Sequence, residues 1–154
     1  MAIEIERKFL VINDDYKKGI NGTHYKQGYL DTNPQCTIRV RTTGNQGYLT
    51  IKGISIGAAR TEYEYPIPYE DAQGLFSLCE KPLIEKYRYL VPYAGNTWEV
   101  DEFCGENKGL VIAEIELEYE DQPFELPPWV GAEVTSDPRY YNSNLIRFPF
   151  KSWL

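Results

Sequence analysis

Histidine is almost missing from this chain: His24 is the only one among 154 residues. A His-rich zinc site is therefore excluded, and a Ser-His-Asp triad is excluded except through that single residue. The three cysteines, Cys36, Cys79 and Cys104, are far apart, odd in number and form no C-x-x-C, which points to a reducing compartment rather than a disulfide framework. No apolar run approaches the length of a membrane span, and no basic and apolar leader precedes the first strand pattern, so the chain reads as soluble and cytoplasmic, with no membrane partner. A P-loop is also lacking, because the IKGISIGAAR stretch from Ile51 to Arg60 has no G-x-x-x-x-G-K. Basic excess is missing too. Sixteen Lys and Arg against 23 Asp and Glu leave a formal net charge of −7, which argues against a general nucleic-acid binder. With no repeat, low-complexity stretch or linker, residues 1–154 read as one domain long enough to bury a substantial core.

What the chain does have is charge sorted by sign at a spacing of two. Glu4 and Glu6, Arg39 and Arg41, Glu62 and Glu64, Lys86 and Arg88, Glu99 and Asp101, and Glu114, Glu116 and Glu118 each alternate with apolar or aromatic residues. Side chains of an extended segment alternate faces, so the members of each pair project to one side, about 6.5 to 7 Å apart. An antiparallel sheet with its polar side in water gives the same alternation. Purity of sign within each pair, and Arg or Lys where Thr, Ser or Gln would serve a solvent face as well, favour a closed barrel. Its interior is charged, and helices are expected to cover its apolar outer face. Carboxylates held this close repel one another and, away from solvent, must be answered by cations or by metal. With histidine and cysteine set aside, hard oxygen ligands remain, and these suit magnesium or manganese. An acidic chain that is basic in one place suits a small, highly charged anion better than a duplex.

The periodicities predict eight strands, over residues 2–11, 24–31, 36–43, 47–53, 60–67, 84–92, 97–103 and 110–120, an antiparallel count. A helix is expected over about residues 70–80, where Ala72, Leu75, Phe76 and Cys79 recur at spacings of three and four. Asp137 before Pro138 reads as an N-cap starting a short helix that carries Tyr141 and Leu145. Residues 121–135, with three prolines and Trp129, read as an irregular crossing.

Nine blocks in one order carry a resemblance. They are E-x-E-x-K at Glu4 to Lys8, QGYL at Gln27 to Leu30, IRVR at Ile38 to Arg41, LTIKG at Leu49 to Gly53, and RTEYEY at Arg60 to Tyr65. EKYRY at Glu85 to Tyr89, WEVDEF at Trp98 to Phe103, GLVIAEIEL at Gly109 to Leu117 and GAEVTSDPRYYNSNL at Gly131 to Leu145 complete the set. Together they resemble the CYTH, or triphosphate tunnel metalloenzyme, superfamily over nearly the whole chain. The resemblance implies a mainly β fold, a closed eight-stranded antiparallel barrel with a tunnel through it and a few helices outside. It also implies divalent-metal-dependent hydrolysis or rearrangement of a triphosphate. The pattern is most similar to the small bacterial inorganic tripolyphosphatases.

Carried over residue by residue, Glu4, Glu6, Glu114 and Glu116 match the family's metal carboxylates, and Asp101 matches a further acidic position grouped with them. Arg39, Arg41, Lys52, Lys86 and Arg88 match its phosphate-binding cations. The planar fork of arginine and the mobile ammonium of lysine suit those roles. Lys8 and Tyr29 match the pair that assists water attack or departure of the leaving group, and a phenol beside an ammonium has its phenolate favoured. Glu62 and Glu64 either join the metal set or hold the basic residues. Glu99 and Glu118 are expected as salt-bridge partners inside the barrel. Arg60 is balanced between phosphate contact and a plain salt bridge, and Arg139 is expected to cap the terminal helix. The expected reaction is in-line attack of water on a terminal phosphoryl group of inorganic tripolyphosphate, giving pyrophosphate and phosphate, by a monomer or homodimer. A class IV adenylate cyclase, a thiamine triphosphatase and a non-catalytic polyphosphate or nucleotide-binding module are the competing readings.

Overall fold

The computed structural model describes residues 3–153. Their alternating segments form nine strands: β1 (Ile3–Val11), β2 (Thr23–Asp31), β3 (Cys36–Thr43), β4 (Gln46–Gly53), β5 (Ala59–Ile67), β6 (Ile84–Tyr93), β7 (Asn96–Phe103), β8 (Val111–Glu116) and β9 (Val130–Glu133). Two short helices join them, α1 (Tyr69–Leu75) and α2 (Asn142–Arg147). The strands hydrogen-bond in the order β5-β4-β3-β2-β6-β7-β8-β1, and β5 pairs with β1 to close an eight-stranded antiparallel barrel. No helix among the described residues is long and apolar enough to cross a membrane.

Strand β1 changes partner along its length. Ile3 to Ile5 pair with β5, whereas Phe9 and Val11 pair with β9, and β8 runs along the other edge throughout Glu6 to Leu10. Strand β9 lies in the stretch expected to be an irregular crossing. Its four residues are too few to show a period, and the prolines and Trp129 before them mask the pattern. The Arg7 guanidinium clamps the Glu133 carboxylate through two bonds of 2.8 and 2.6 Å, fixing β9 to the barrel. Strand β8 ends at Glu116 rather than running to residue 120. Leu117 still donates to the Ile5 carbonyl, but the Glu118 amide turns to the Gln122 side chain. Glu118 is therefore exposed and is not an internal salt-bridge partner. The helix expected over 70–80 ends at Leu75 and continues as a single 3-10 turn over Phe76–Leu78. Asp137 caps a 3-10 turn at Pro138–Tyr140, its carboxylate accepting from the Arg139 amide, and α2 begins only at Asn142.

The outer face is covered differently from expectation. Phe9, Tyr16, Trp98, Phe124 and Trp129 meet edge to face where irregular segments wrap β1 and β7, and α1 covers Val40 with Phe76 and Cys79. Elsewhere Tyr65 and Leu90 remain more than half exposed, because no element lies over them. Phe150 and Trp153 pack edge to face and Trp153 also meets Tyr140, so of the FPFKSWL segment residues 148–153 form an ordered tail, and Leu154 lies outside the described residues.

The inner face changes character along the barrel axis. Alternation that places Lys8, Lys86, Asp101 and Glu114 inside also places Leu10, Ile84, Phe103 and Ile112 inside at one end. These pack with Tyr29 against Leu145 and Ile146 of α2 and form an apolar plug beneath the charged layers.

Candidate active site

Above the plug lies a cavity of about 210 Å³, and each of the eight barrel strands contributes an inward side chain to its wall. Seven carboxylates, Glu4, Glu6, Glu62, Glu64, Glu99, Glu114 and Glu116, face seven cations, Lys8, Arg39, Arg41, Lys52, Arg60, Lys86 and Arg88. The barrel thus brings together all the site residues expected from sequence except Asp101. The charges are paired locally, across adjacent strands or over one intervening strand. Glu64 on β5 accepts from Arg41 at 3.1 Å, from Arg39 at 3.5 Å and from Thr50 at 3.0 Å. Lys52 on β4 bridges Glu4 at 3.0 Å and Glu62 at 3.3 Å. Arg88 reaches Glu99 at 3.1 Å. Glu62 and Glu64 thereby hold basic residues, and Glu99 is the ion-pair partner that its strand position predicts.

Asp101 departs from its expected place. It is 1% exposed, lies outside the cavity wall, and has both oxygens engaged: Arg88 binds them at 2.8 and 2.9 Å and Lys86 binds one at 2.8 Å. Spacing puts Asp101 on the same strand face as Glu99, but one step deeper, beside Phe103, where it anchors two cations instead of facing the cavity. Among the described residues Arg60 carries no carboxylate contact, so the plain salt bridge with Glu62 or Glu64 is not formed. It donates to the Gly53 carbonyl at 3.0 Å and to the Thr37 hydroxyl at 3.4 Å and stays on the wall. Arg139 is turned to solvent against Asp137 at 2.7 Å.

Burial and like charges set the proton affinities. Burial, with Glu6 beside it, pushes the Glu114 carboxyl up to about 7. Burial, Glu4 and Glu99 raise Glu116. Burial raises Glu4, which shares a hydrogen bond with Glu62. Burial works in the same sense on Glu62, but Glu4 and Lys52 outweigh it and hold Glu62 below the usual carboxylate range. Burial disfavours the Lys8 ammonium, yet Glu114, Glu6 and Tyr29 more than offset this and raise it. Burial and Arg88 bring Lys86 down to about 8 in spite of Asp101, whereas Arg88 and Lys86 hold Asp101 well below its ordinary value despite its burial.

An all-oxygen donor set in which Glu4, Glu114 and Glu116 have raised proton affinities fits a hard divalent cation, which displaces protons or answers the repulsion between carboxylates. Among the described residues no three acidic, His or Cys side chains converge closely enough to hold a metal by themselves. A hard divalent cation held here would take one or two carboxylates and complete its shell with water and substrate phosphate.

Four wall residues come from the segment after β9: Thr135, Tyr141, Asn142 and Ser143. Sequence reasoning missed them as wall residues, since polar loop residues carry no period. Their only signal is membership of the GAEVTSDPRYYNSNL block. Thr135 accepts from the Lys8 amide at 3.1 Å, and the Tyr141 ring lies 5.5 Å from the Lys8 ammonium.

A barrel in which every strand but β2 sends a cation or a carboxylate to the cavity defines the class: an antiparallel tunnel barrel built around a charged cavity. Residues 2–145 match the model of the CYTH domain, and the chain belongs to that family. It is 53% identical over 154 residues to an inorganic triphosphatase of Acetivibrio thermocellus, covering 99% of each chain. An inorganic triphosphatase of Nitrosomonas europaea is 37% identical over 147 residues, covering 92% of this chain and 95% of its own. A crystal structure of an inorganic triphosphatase superposes with a TM-score of 0.67 at 34% identity, covering 92% of this chain and 96% of that one.

Proposed function

We propose that this protein hydrolyses inorganic tripolyphosphate to pyrophosphate and phosphate with Mg²⁺ or Mn²⁺. The observation that carries the reading is the cavity wall of seven carboxylates against seven cations. A wall that is neutral in total repels a bare polyanion less than an acidic surface would, and it best accepts one whose charge is partly cancelled by metal. The two curated relatives, both inorganic triphosphatases, support the same substrate.

Glu6, Glu114 and Glu116, with Glu4 once Lys52 turns to phosphate, are the residues that would hold the metal. When bound, the metal neutralises phosphate oxygens and makes a water more acidic. Arg39, Arg41 and Lys52 from one side and Lys86 and Arg88 from the other bind the phosphate chain, exchanging carboxylate partners for phosphate oxygens. Asp101 aims Lys86 and Arg88 from below. Water attacks the terminal phosphorus as the bridging P–O bond breaks, and the electron pair leaves on pyrophosphate. Tyr29, ionised to the phenolate beside the Lys8 ammonium, takes the water proton and becomes the neutral phenol. Positioning and electrostatics carry most of the acceleration, as in phosphoryl transfer generally.

The experiment measures phosphate release from tripolyphosphate, ATP and thiamine triphosphate, each with magnesium, manganese or chelator, and examines the ATP reaction for cyclic AMP. Metal-dependent release from tripolyphosphate is expected to dominate. Preferential turnover of thiamine triphosphate, or cyclic AMP from ATP, would replace this reading with one of its relatives. Tight tripolyphosphate binding without turnover would make the protein a binding module.

A further inference from the structure

Strand β2 runs between two basic strands, β3 with Arg39 and Arg41 and β6 with Lys86 and Arg88, yet it sends no charge to the cavity. Its inward face carries Tyr25, Gln27 and Tyr29 instead. Tyr25 stands opposite Lys86 on one side and Thr43 on the other, so Arg88 and Arg41, two positions along, are its diagonal neighbours. The Arg88 guanidinium lies 4.9 Å from the centre of the Tyr25 ring and the Arg41 guanidinium 5.2 Å from it. Both distances are within the range of cation–π attraction. Tyr48 on β4 brings a second ring to 5.9 Å from Arg41. Tyr25 joins none of the apolar clusters formed by the described residues, and it is not on the cavity wall itself. Its contacts are with the two cations that are.

We infer that Tyr25 is a positioning residue for the triphosphate, its ring steering the Arg41 and Arg88 guanidiniums together onto one phosphate chain. Two guanidiniums on either side of a single strand repel one another. Burial, Arg39 and Arg88 accordingly lower the proton affinity of Arg41. A carboxylate on β2 would relieve that repulsion, but it would also occupy the N–H donors that phosphate oxygens need. The face of a tyrosine ring attracts a cation through its quadrupole and takes no N–H group. The difference matters most for Arg41. Glu64, the carboxylate it contacts, is shared with Arg39 and Thr50 and is exchanged for phosphate on binding, whereas the ring stays in place. β2 thus contributes to the phosphate site by an attraction that the substrate does not have to displace. This assignment rests on the triphosphate reading above.

The test compares wild type with Tyr25→Phe, which keeps the ring, and with Tyr25→Leu and Tyr25→Met, which remove it with different shapes. Steady-state kinetics on tripolyphosphate with manganese are paired with calorimetric binding of a non-hydrolysable imido analogue of tripolyphosphate, also with manganese, and with thermal melts. Loss of two cation–π contacts is expected to raise KM and weaken analogue binding by about 5- to 30-fold in the leucine and methionine variants. Their kcat should stay within about twofold of wild type, since the ring serves ground state and transition state alike. Tyr25→Phe should match wild type within about twofold in all three quantities. Wild-type affinity in the leucine and methionine variants, with only the melting temperature moved, would make Tyr25 a packing residue and overturn the inference. Failure of both to fold would do the same. A phenylalanine variant as impaired as the leucine one would shift the role to the hydroxyl and overturn it too. A wild-type protein that binds the analogue but releases no phosphate from tripolyphosphate would instead count against the function proposed above, and the binding comparison would still decide the role of Tyr25.

Discussion

Replacing Asp101 by Asn changes shape very little and charge by one unit, at a site where the charge has two buried partners. The carboxylate is 1% exposed and binds Arg88 through both oxygens and Lys86 through one. The amide retains one acceptor oxygen and turns an NH2 towards two cations, of which Lys86 is itself 1% exposed. Removing one member of a buried ion pair leaves its partner uncompensated, which costs about 3 to 5 kcal/mol. For a chain of this length that corresponds to a melting temperature lower by about 6 to 20 °C. The pH dependence has a definite sign. Arg88 and Lys86 depress the folded-state pKa of Asp101, so its contribution is present above its unfolded value of 3.8 and disappears as pH falls towards the folded value. The gap between wild type and Asp101→Asn should thus be constant from pH 7 down to about 5 and shrink below about pH 4. Thermal melts followed by circular dichroism at several pH values measure it. A variant melting within about 2 °C of wild type at pH 7 would refute the account, since it would mean that the two cations need no buried counterion.

Glu114 has the opposite sign. Burial and Glu6 raise its carboxyl from 4.5 to about 7, so stability present below 4.5 is lost as pH rises through 7, by about 3 kcal/mol in the limit. Glu114→Gln should therefore match wild type in stability at pH 4 and exceed it at pH 8 in urea melts, while losing metal-dependent turnover. Gly28→Ala places a Cβ 2.7 Å from Leu83 and 2.9 Å from the Cys79 sulfur, and this overpacking should cost about 1 to 3 kcal/mol in denaturant midpoint. Tyr29→Phe and Lys8→Ala should each lower kcat on tripolyphosphate. Full turnover in the phenylalanine variant with none in Lys8→Ala would leave Tyr29 a packing residue.

The barrel was legible because its strands announce themselves twice, by alternation and by pure sign within each pair. Arg39 and Arg41, or Lys86 and Arg88, need no alignment to be placed on one face. Depth along the barrel axis is not encoded by that spacing. Glu99 and Asp101 look alike in sequence, yet one faces the cavity and the other sits under two cations beside Phe103. Short elements were hidden for a different reason: the four residues of β9 cannot display a period, and a run of prolines precedes them. Thr135 and Tyr141 gave no local sign either, because their places on the cavity wall come from a segment folding back over β1 and the plug.

The partner change along β1 also bears on how the chain reaches this state. Arg7 is clamped by Glu133, 126 positions later, and the neighbouring ladder to β8 is almost as distant in sequence. Closing such loops costs entropy before any contact rewards it, and topologies dominated by distant pairings fold slowly. The E-x-E-x-K strand must therefore wait, unpaired on one side and rich in acidic residues, until β8 and β9 are in place. The like charges of Glu4 and Glu6 then do a second task in the nascent polypeptide, discouraging premature pairing of this edge with another copy of itself.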